Sequence, residues 1–167
     1  MPTHELVKVE AALAAECTFS SAIPIHGKFN VSVAGTFEGT VNLQRKFPSD
    51  DDISGEATAT TSDKLVDSAM HFDTNGVRIG DWVHNTTDDT WAMITAIDSA
   101  TTLSIDNDIM ADEEEYTIER WWNLPDSFEV TAPADACLEE VEGGVQYRIG
   151  IVAGEYTSGT AYARVSK

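Results

Sequence analysis

The sequence predicts an all-β protein, an antiparallel β-sandwich of jelly-roll or Ig-like type that carries an inserted small all-β module. Apolar and polar residues alternate with a period of two over several short stretches, as in strands that bury one face. Turn-forming residues separate these stretches at intervals of about 8–12 residues, which is typical of sandwiches and small barrels. The 167 residues suffice for one domain, or for one domain that carries an insertion.

The strongest alternation lies in residues 28–47, KFNVSVAGTFEGTVNLQRKF. Two runs meet at Ala34-Gly35-Thr36, where the glycine permits a tight reversal or a β-bulge. This pattern predicts a β-hairpin with one buried face, and a second sheet must cover it because an isolated hairpin is marginally stable. The apolar positions of the two runs are Phe29, Val31 and Val33, followed by Phe37, Val41 and Leu43.

Other stretches supply the predicted cover. Residues 18–25 predict a first strand, and Pro24 places that strand at a sheet edge because proline cannot donate a ladder hydrogen bond. Alternation returns after Trp121, with turns predicted between the runs. The later apolar runs are 128–132, 145–151 and 160–165, and the predicted turns are 142–144 and 156–159.

The middle of the chain has its own pattern of short strands and turns. Strands are predicted at 57–61, 70–72, 82–83, 91–97, 103–105 and 116–118. Asn75-Gly76 is a strong hairpin signal, and little in this part favours a helix. The sandwich is therefore predicted to consist of residues 17–54 and 120–167, with 55–119 as an acidic β module inserted at a hairpin tip.

Residues 1–16 are predicted to form either a short helix or an extended arm that pairs with a neighbouring subunit. Strong helix formers favour the first alternative, although so short a segment is marginal as an isolated helix. Four apolar residues have no evident place in a self-contained sandwich and are candidates for binding a partner, which predicts a homo-oligomer. These candidates are Leu6, Val7, Val9 and Leu13.

Charge is the most extreme global property of the chain, with a net value of −19. Residues 50–119 hold 18 acidic residues against Lys64 and Arg78, a net charge of −16, and the remainder has a net charge of −3. Nucleic acid and anionic membranes are therefore excluded as expected partners, because phosphate binding needs clustered lysine and arginine. The sequence also lacks a long apolar run and the features of a signal peptide, so neither a membrane span nor export by that route is expected.

The sequence contains none of the strong catalytic motifs. HExxH, CxxC, GxSxG and the P-loop are missing, and the four histidines are scattered, so no enzyme activity and no cofactor are expected. Cys17 and Cys137 are expected to be reduced thiols. The four tryptophans are expected in the core or at interfaces rather than in a sugar site.

Two acidic stretches are weak candidates for calcium binding. The first matches the opening half of an EF-hand loop, but its twelfth position holds threonine in place of the bidentate acid. The second lacks the turn glycine. Both are expected to be solvated loops rather than metal sites. The candidate ligands are Asp50, Asp52 and Ser54 in the first stretch, and Asp106 and Asp108 in the second.

Three segments carry a resemblance to known proteins. FNVSVAGTFEGTVNLQRKF at 29–47 and EEVEGGVQYRIGIVAGEYTSGTAYARVSK at 139–167 resemble small β-sandwich virion proteins of tailed bacteriophages. GVRIGDWVHNTTDDTWAMITAIDSATTLSIDNDIM at 76–110 is similar to another module that recurs in phage structural proteins. All three segments therefore point to the same class of protein.

The resemblance implies a structural viral protein with no catalytic residues. Its members include capsid decoration, or cement, proteins, so the major capsid protein is the expected partner. The expected location is the outer capsid surface of the virion, after synthesis in the host cytoplasm. The alternative that the resemblance leaves open is a neck, tail or fibre component, including a host-surface or glycan-binding module.

Overall fold

The computed structural model describes residues 7–47, 52–123, 128–152 and 154–167, and these ranges form fourteen strands and no helix. No membrane-spanning helix therefore occurs in them. In chain order the strands are β1 (Lys8–Leu13), β2 (Thr18–Phe19), β3 (Ile23–Gly39), β4 (Val41–Lys46), β5 (Ile53–Glu56), β6 (Lys64–Val66), β7 (Trp82–Asn85), β8 (Thr90–Ser99), β9 (Thr102–Ile105), β10 (Glu115–Glu119), β11 (Trp122–Asn123), β12 (Glu129–Val130), β13 (Ala134–Ile151) and β14 (Tyr156–Ser166).

The chain divides into two compact units. Residues 1–49 and 122–167 form the sandwich unit, and residues 50–121 form the inserted unit. The predicted order of sandwich, insertion and sandwich thus matches this division, but the predicted boundaries at 54/55 and 119/120 are displaced by a few residues. The N-terminal segment, predicted as a separate arm, belongs to the sandwich unit.

The sandwich unit is an antiparallel β-sandwich whose strands are ordered β1-β14-β3-β13-β4-β11, while β12 also pairs with β4 and β2 with β13. The long strands β3 and β13 form its central ribbon. On one side of the ribbon β14 pairs with β3 from Asn30 onward, and on the other β4 pairs with β13 from Gln146 to Gly150. Pro24 lies in β3 before the segment that pairs with β14. Strand β14 therefore does not lie beside Pro24, and the missing N–H of the proline leaves no hydrogen bond to β14 unmade.

The predicted reversal at Gly35 is wrong, because β3 continues through this residue without turning. Gly35 has φ +102° and lies in register with Ala161 of β14. A Cβ at this position would overlap the carbonyl oxygen of Thr160. The glycine therefore serves the close approach of a neighbouring strand and not a turn.

The turns predicted at 142–144 and 156–159 are also wrong, since both segments lie within β13 and β14. Between Glu140 and Val145 the chain advances five residues, while the partner strand advances two from Ile25 to Gly27, so the bulge holds three extra residues. An odd number exchanges the two faces of a strand. Inward-facing residues therefore have even numbers before the bulge and odd numbers after it.

The buried carboxylate of Glu140 holds this bulge together. It accepts hydrogen bonds from the Tyr147 hydroxyl at 2.6 Å and from the Glu142 backbone N–H at 2.9 Å, and Arg45 lies 3.3 Å away. Burial alone would raise the pKa of Glu140, but these three donors outweigh it and the pKa lies below the ordinary value. Burial and the neighbouring carboxylate raise the pKa of Tyr147.

The helix predicted within residues 1–16 is wrong where the chain is described. Lys8–Leu13 is strand β1, paired antiparallel with β14 from Lys8↔Ser166 to Leu13↔Ala161. The extended alternative is correct in conformation, although the observed partner is a strand of the same chain. Alternating Val9, Ala11 and Leu13 pack against the core, and such tertiary contacts override a weak helix propensity.

The inserted unit is a small antiparallel sheet in the order β5-β10-β7-β8-β9-β6. The Thr58 N–H donates to the Val66 carbonyl at 2.8 Å, so the two ends of this order meet and the sheet is nearly closed. Two predicted strands, at 57–61 and 70–72, are irregular segments. Asn75-Gly76 does lie in a turn, but this turn does not join two strands of a hairpin.

Removal of the inserted unit should leave a folded sandwich. Trp122 of β11 pairs with Arg45 of β4, so the chain ends on either side of the insertion are neighbours. Replacing residues 48–121 with a glycine-containing turn of about four residues should preserve a cooperative thermal transition. Circular dichroism would measure it, and a deletion variant without a cooperative transition would contradict the two-unit description.

The Glu140 network predicts a specific acid sensitivity. Because the pKa of Glu140 is lowered on folding, its stabilisation is present above the unfolded pKa of about 4.3 and is lost as pH falls below it. Glu140→Gln should lower the free energy of unfolding at pH 7 by about 1–3 kcal/mol and flatten its fall between about pH 5 and 3. Exposed Glu139→Gln is the matched control in urea titrations, and equal pH profiles for both variants would refute the role of Glu140.

Candidate functional site

The candidate site is the side of β1, β14, β3 and β13 that points away from the core, which we call the outer face. Four residues in register form its central row: Glu10, Arg164, Ser32 and Asp135. Their neighbours along each strand point into the core, because strand side chains alternate between faces. The period-two pattern of the sequence therefore places all four on one surface.

Two further rows flank this central row. On one side Ala12, Tyr162 and Ala34 are in register across three strands. On the other side Asn30 pairs with Cys137. Small side chains keep the floor of the face shallow, and Tyr162 stands out from it with 60% of its surface exposed.

Two adjoining grooves run over the outer face, with volumes of 560 and 350 Å³. Both are lined by Ser32, Asp135 and Arg164, so they form one continuous depression. The larger groove extends to Tyr162 and the smaller one to Cys137. The depression is open to solvent and offers a planar phenol, a guanidinium, a carboxylate and small polar groups for hydrogen bonding.

The charges around the central row are balanced, unlike those of the chain as a whole. Lys8 and Arg164 stand against Glu10 and Asp135, and Lys8 is paired with Glu10 at 2.9 Å. The inserted unit holds 18 acidic and 3 basic residues, a net charge of −15, and the sandwich unit holds 11 acidic and 7 basic residues, a net charge of −4. The repulsive charge is thus concentrated in the inserted unit.

The four residues predicted to bind a partner do not form one exposed cluster. Leu6 lies outside the described residues. Val7 is 42% exposed, Val9 is partly buried against the core, and Leu13 is completely buried. Leu13 is therefore a core residue of its own chain and not available to a partner, contrary to prediction.

The first predicted calcium loop does not form a loop in its described part. Asp50 lies outside the described residues, and Asp52 is exposed immediately before β5. Ser54 lies within β5 and pairs with Thr117 of β10. An EF-hand loop must wrap around its ion, so a paired strand at this position contradicts that interpretation.

The second predicted cluster is engaged by protein donors. Asp106 Oδ1 accepts the Met93 backbone N–H at 2.7 Å, and Asp108 Oδ1 accepts the Asp63 backbone N–H at 3.2 Å. These carboxylates therefore stabilise local backbone structure. Among the residues described, no group of three or more histidine, cysteine or acidic side chains is placed to hold a metal ion.

A separate aromatic pair lies on the inserted unit. The indole of Trp91 is 41% exposed and stacks on the ring of His84, with centroids 4.0 Å apart and planes at 3°. His84 Nε2 lies 2.9 Å from Asp89 Oδ1. In contrast, Trp121 is buried. Of Trp91 and Trp121, Trp91 is therefore the one whose side chain is accessible to a ligand.

The sequence interpretation did not single out the outer face. Tyr162 and Arg164 lie within segment 139–167, but what joins them to Ser32 and Asp135 is the register of three distant strands. The signal that was present is the alternation in 160–165, which separates outward from inward side chains.

Cys17 and Cys137 do not form a disulfide, and Cys137 is exposed beside the smaller groove.

No family model matches the chain, and no curated protein sequence matches it. The outer face is therefore the structural feature that bears on function.

The positions of Leu13 and Val7 predict a large and a small loss of stability, respectively, when each side chain is shortened to alanine. Leu13→Ala should lower the free energy of unfolding by about 2–4 kcal/mol, because it leaves a cavity in the core. Val7→Ala should change it by about 0.5 kcal/mol or less, as is usual at exposed positions. Urea denaturation would measure both, and a mild effect of Leu13→Ala would place that residue outside the core.

Proposed function

We propose that the protein is a structural component of a tailed-phage virion, and that it acts as a capsid decoration protein bound to the major capsid protein on the outer surface. Segments 29–47 and 139–167 support this, because they resemble small virion proteins of this class. The all-β sandwich is the architecture which that resemblance implies, and both segments lie in the sandwich unit.

The observation that carries the proposal is the outer face. A strongly acidic chain needs a contact surface on which its charges are matched, and here Arg164 and Lys8 balance Asp135 and Glu10. Tyrosine and arginine are enriched at protein interfaces, and exposed Tyr162 beside Arg164 provides both. The shallow floor of small residues allows another protein surface to approach closely.

The inserted unit then has a different role. Its net charge of −15 supplies electrostatic repulsion between decorated particles and keeps them dispersed. The same charge disfavours contact with packaged nucleic acid, which agrees with a location outside the shell.

A second candidate is a tail or fibre component that binds host glycans. The exposed indole of Trp91 is the specific observation that favours it, since flat aromatic faces with an apolar body suit contact with sugar rings. In this alternative the ligand-binding surface belongs to the inserted unit rather than to the outer face.

Copy number in purified particles distinguishes the two candidates. A decoration protein should be present in a fixed ratio to the major capsid protein, as the capsid lattice requires. A neck, tail or fibre component should be present at the low copy number set by the symmetry of the tail. Quantitative mass spectrometry of intact virions would measure this ratio, and the low value would exclude decoration.

Substitutions on the outer face should weaken binding to undecorated capsids. We expect Tyr162→Ala and Arg164→Glu each to reduce affinity about tenfold or more, the effect of removing an interface anchor. Trp91→Ala on the inserted unit should leave affinity unchanged. Co-sedimentation over a concentration series would measure binding, and a loss with Trp91→Ala alone would transfer the contact to the inserted unit.

A further inference from the structure

Strand β1 is an edge strand with a defined set of unpaired backbone groups. In the described part of the chain it pairs on one side only, with β14. The Lys167 N–H donates to the Val7 carbonyl at 2.9 Å, so the backbone groups of Val7 point toward β14. Because this direction alternates along an antiparallel strand, those of Lys8, Glu10 and Ala12 point toward the open edge.

The apolar side of this edge is covered unevenly. Val7, Val9 and Leu13 share the core-facing parity of the strand, but Leu13 is completely buried, Val9 is partly buried and Val7 is 42% exposed. Apolar surface therefore increases toward the start of β1, beside the same open backbone groups. A further strand on this edge would cover it.

The charges on β1 favour one kind of strand as a pairing partner at the open edge. Lys8 and Glu10 lie on either side of Val9 and point to the outer face. If two copies of β1 pair antiparallel about Val9, each Lys8 lies opposite the partner's Glu10. A pairing about Lys8 or about Glu10 would place like charges opposite each other, which is unfavourable.

We propose that the occupant of this edge is β1 of a second copy of the chain, paired antiparallel about a two-fold axis at Val9. Lys8 and the partner's Glu10 then form a hydrogen-bonded pair, because the backbone groups of both point to the edge. Val9 and the partner's Val9 form the non-hydrogen-bonded pair between them, on the apolar side. The sheet of one sandwich unit and the sheet of the second copy then become one continuous sheet.

Charge also makes the edge selective. Lysine and glutamate on an edge strand hinder pairing with neutral or uniformly acidic strands, which is a known protection against aggregation. Within one chain Lys8 and Glu10 pair with each other at 2.9 Å. A strand with the complementary order extends this pair into an alternating set of four charges, and β1 itself has that order when it is antiparallel. This self-association can be measured without capsids, because the backbone edge of β1 forms it, although Lys8 and Glu10 also lie on the outer face.

Charge reversal tests the proposed register. In sedimentation equilibrium the wild-type chain should form a dimer, and Lys8→Glu and Glu10→Lys should each weaken it about tenfold by placing like charges opposite each other. The double variant Lys8→Glu/Glu10→Lys should restore dimerisation to near the wild-type level. A wild-type chain that stays monomeric throughout the concentration series, or a double variant no better than the single ones, would overturn the proposal.

Cross-linking tests the same register without relying on charge. In a Cys17→Ser/Cys137→Ser background, Val9→Cys should form an intermolecular disulfide under mild oxidation. Opposed residues of a non-hydrogen-bonded pair have Cα atoms about 4.5 Å apart, within disulfide range. Ala11→Cys, which faces the partner's Val7, should not cross-link. Thermal melts should first show that both variants are folded, and efficient cross-linking of Ala11→Cys or none of Val9→Cys would contradict the axis at Val9.

Discussion

The sandwich unit depends on a ribbon of two long strands, β3 and β13, that must present apolar side chains to one core along its whole length. A bulge in β13 interrupts the alternation, because the apolar residues of this strand have even numbers before the bulge and odd numbers after it. Both sets face the core because the bulge adds an odd number of residues. Buried Glu140 binds the bulge backbone and Tyr147 beyond it, so the change of parity is held by one carboxylate. Strands β14 and β1 on one side, and β4, β11 and β12 on the other, follow from this ribbon.

The sequence predicted the fold class, the insertion and most inward-facing residues, because burial imposes a period that local sequence records. It did not predict where strands end. Gly35 and Gly159 have positive φ values, which suit a turn and equally suit close approach of a neighbouring strand. Only the presence of the partner strand decides between the two, and that is a non-local fact. Strand β1 was ambiguous for the same reason, since its pairing with β14 joins the two ends of the chain.

The candidate site was less predictable than the fold. Each residue of the central row is ordinary in its own segment, and Glu10 and Arg164 become neighbours only through strand pairing. The charge boundary, in contrast, was evident in the sequence because it is a property of composition. Under the proposed function these features divide two tasks within one chain: a matched surface for contact in the sandwich unit, and a repulsive one in the inserted unit.

The pairing of β5 with β10 has a consequence for how the chain folds. Ile53 and Ile118, near the two ends of the inserted unit, are cross-strand partners. Once this unit has folded, its long stretch of chain no longer acts as a flexible loop, and the entropy needed to bring β4 and β11 together falls to that of a short connection. During synthesis residues 50–121 emerge before β13 and β14, so the whole insertion is available to fold while the first half of the sandwich still lacks its partners. A unit that lengthens the sequence separation of the sandwich contacts thereby removes most of the kinetic delay which that separation would otherwise impose.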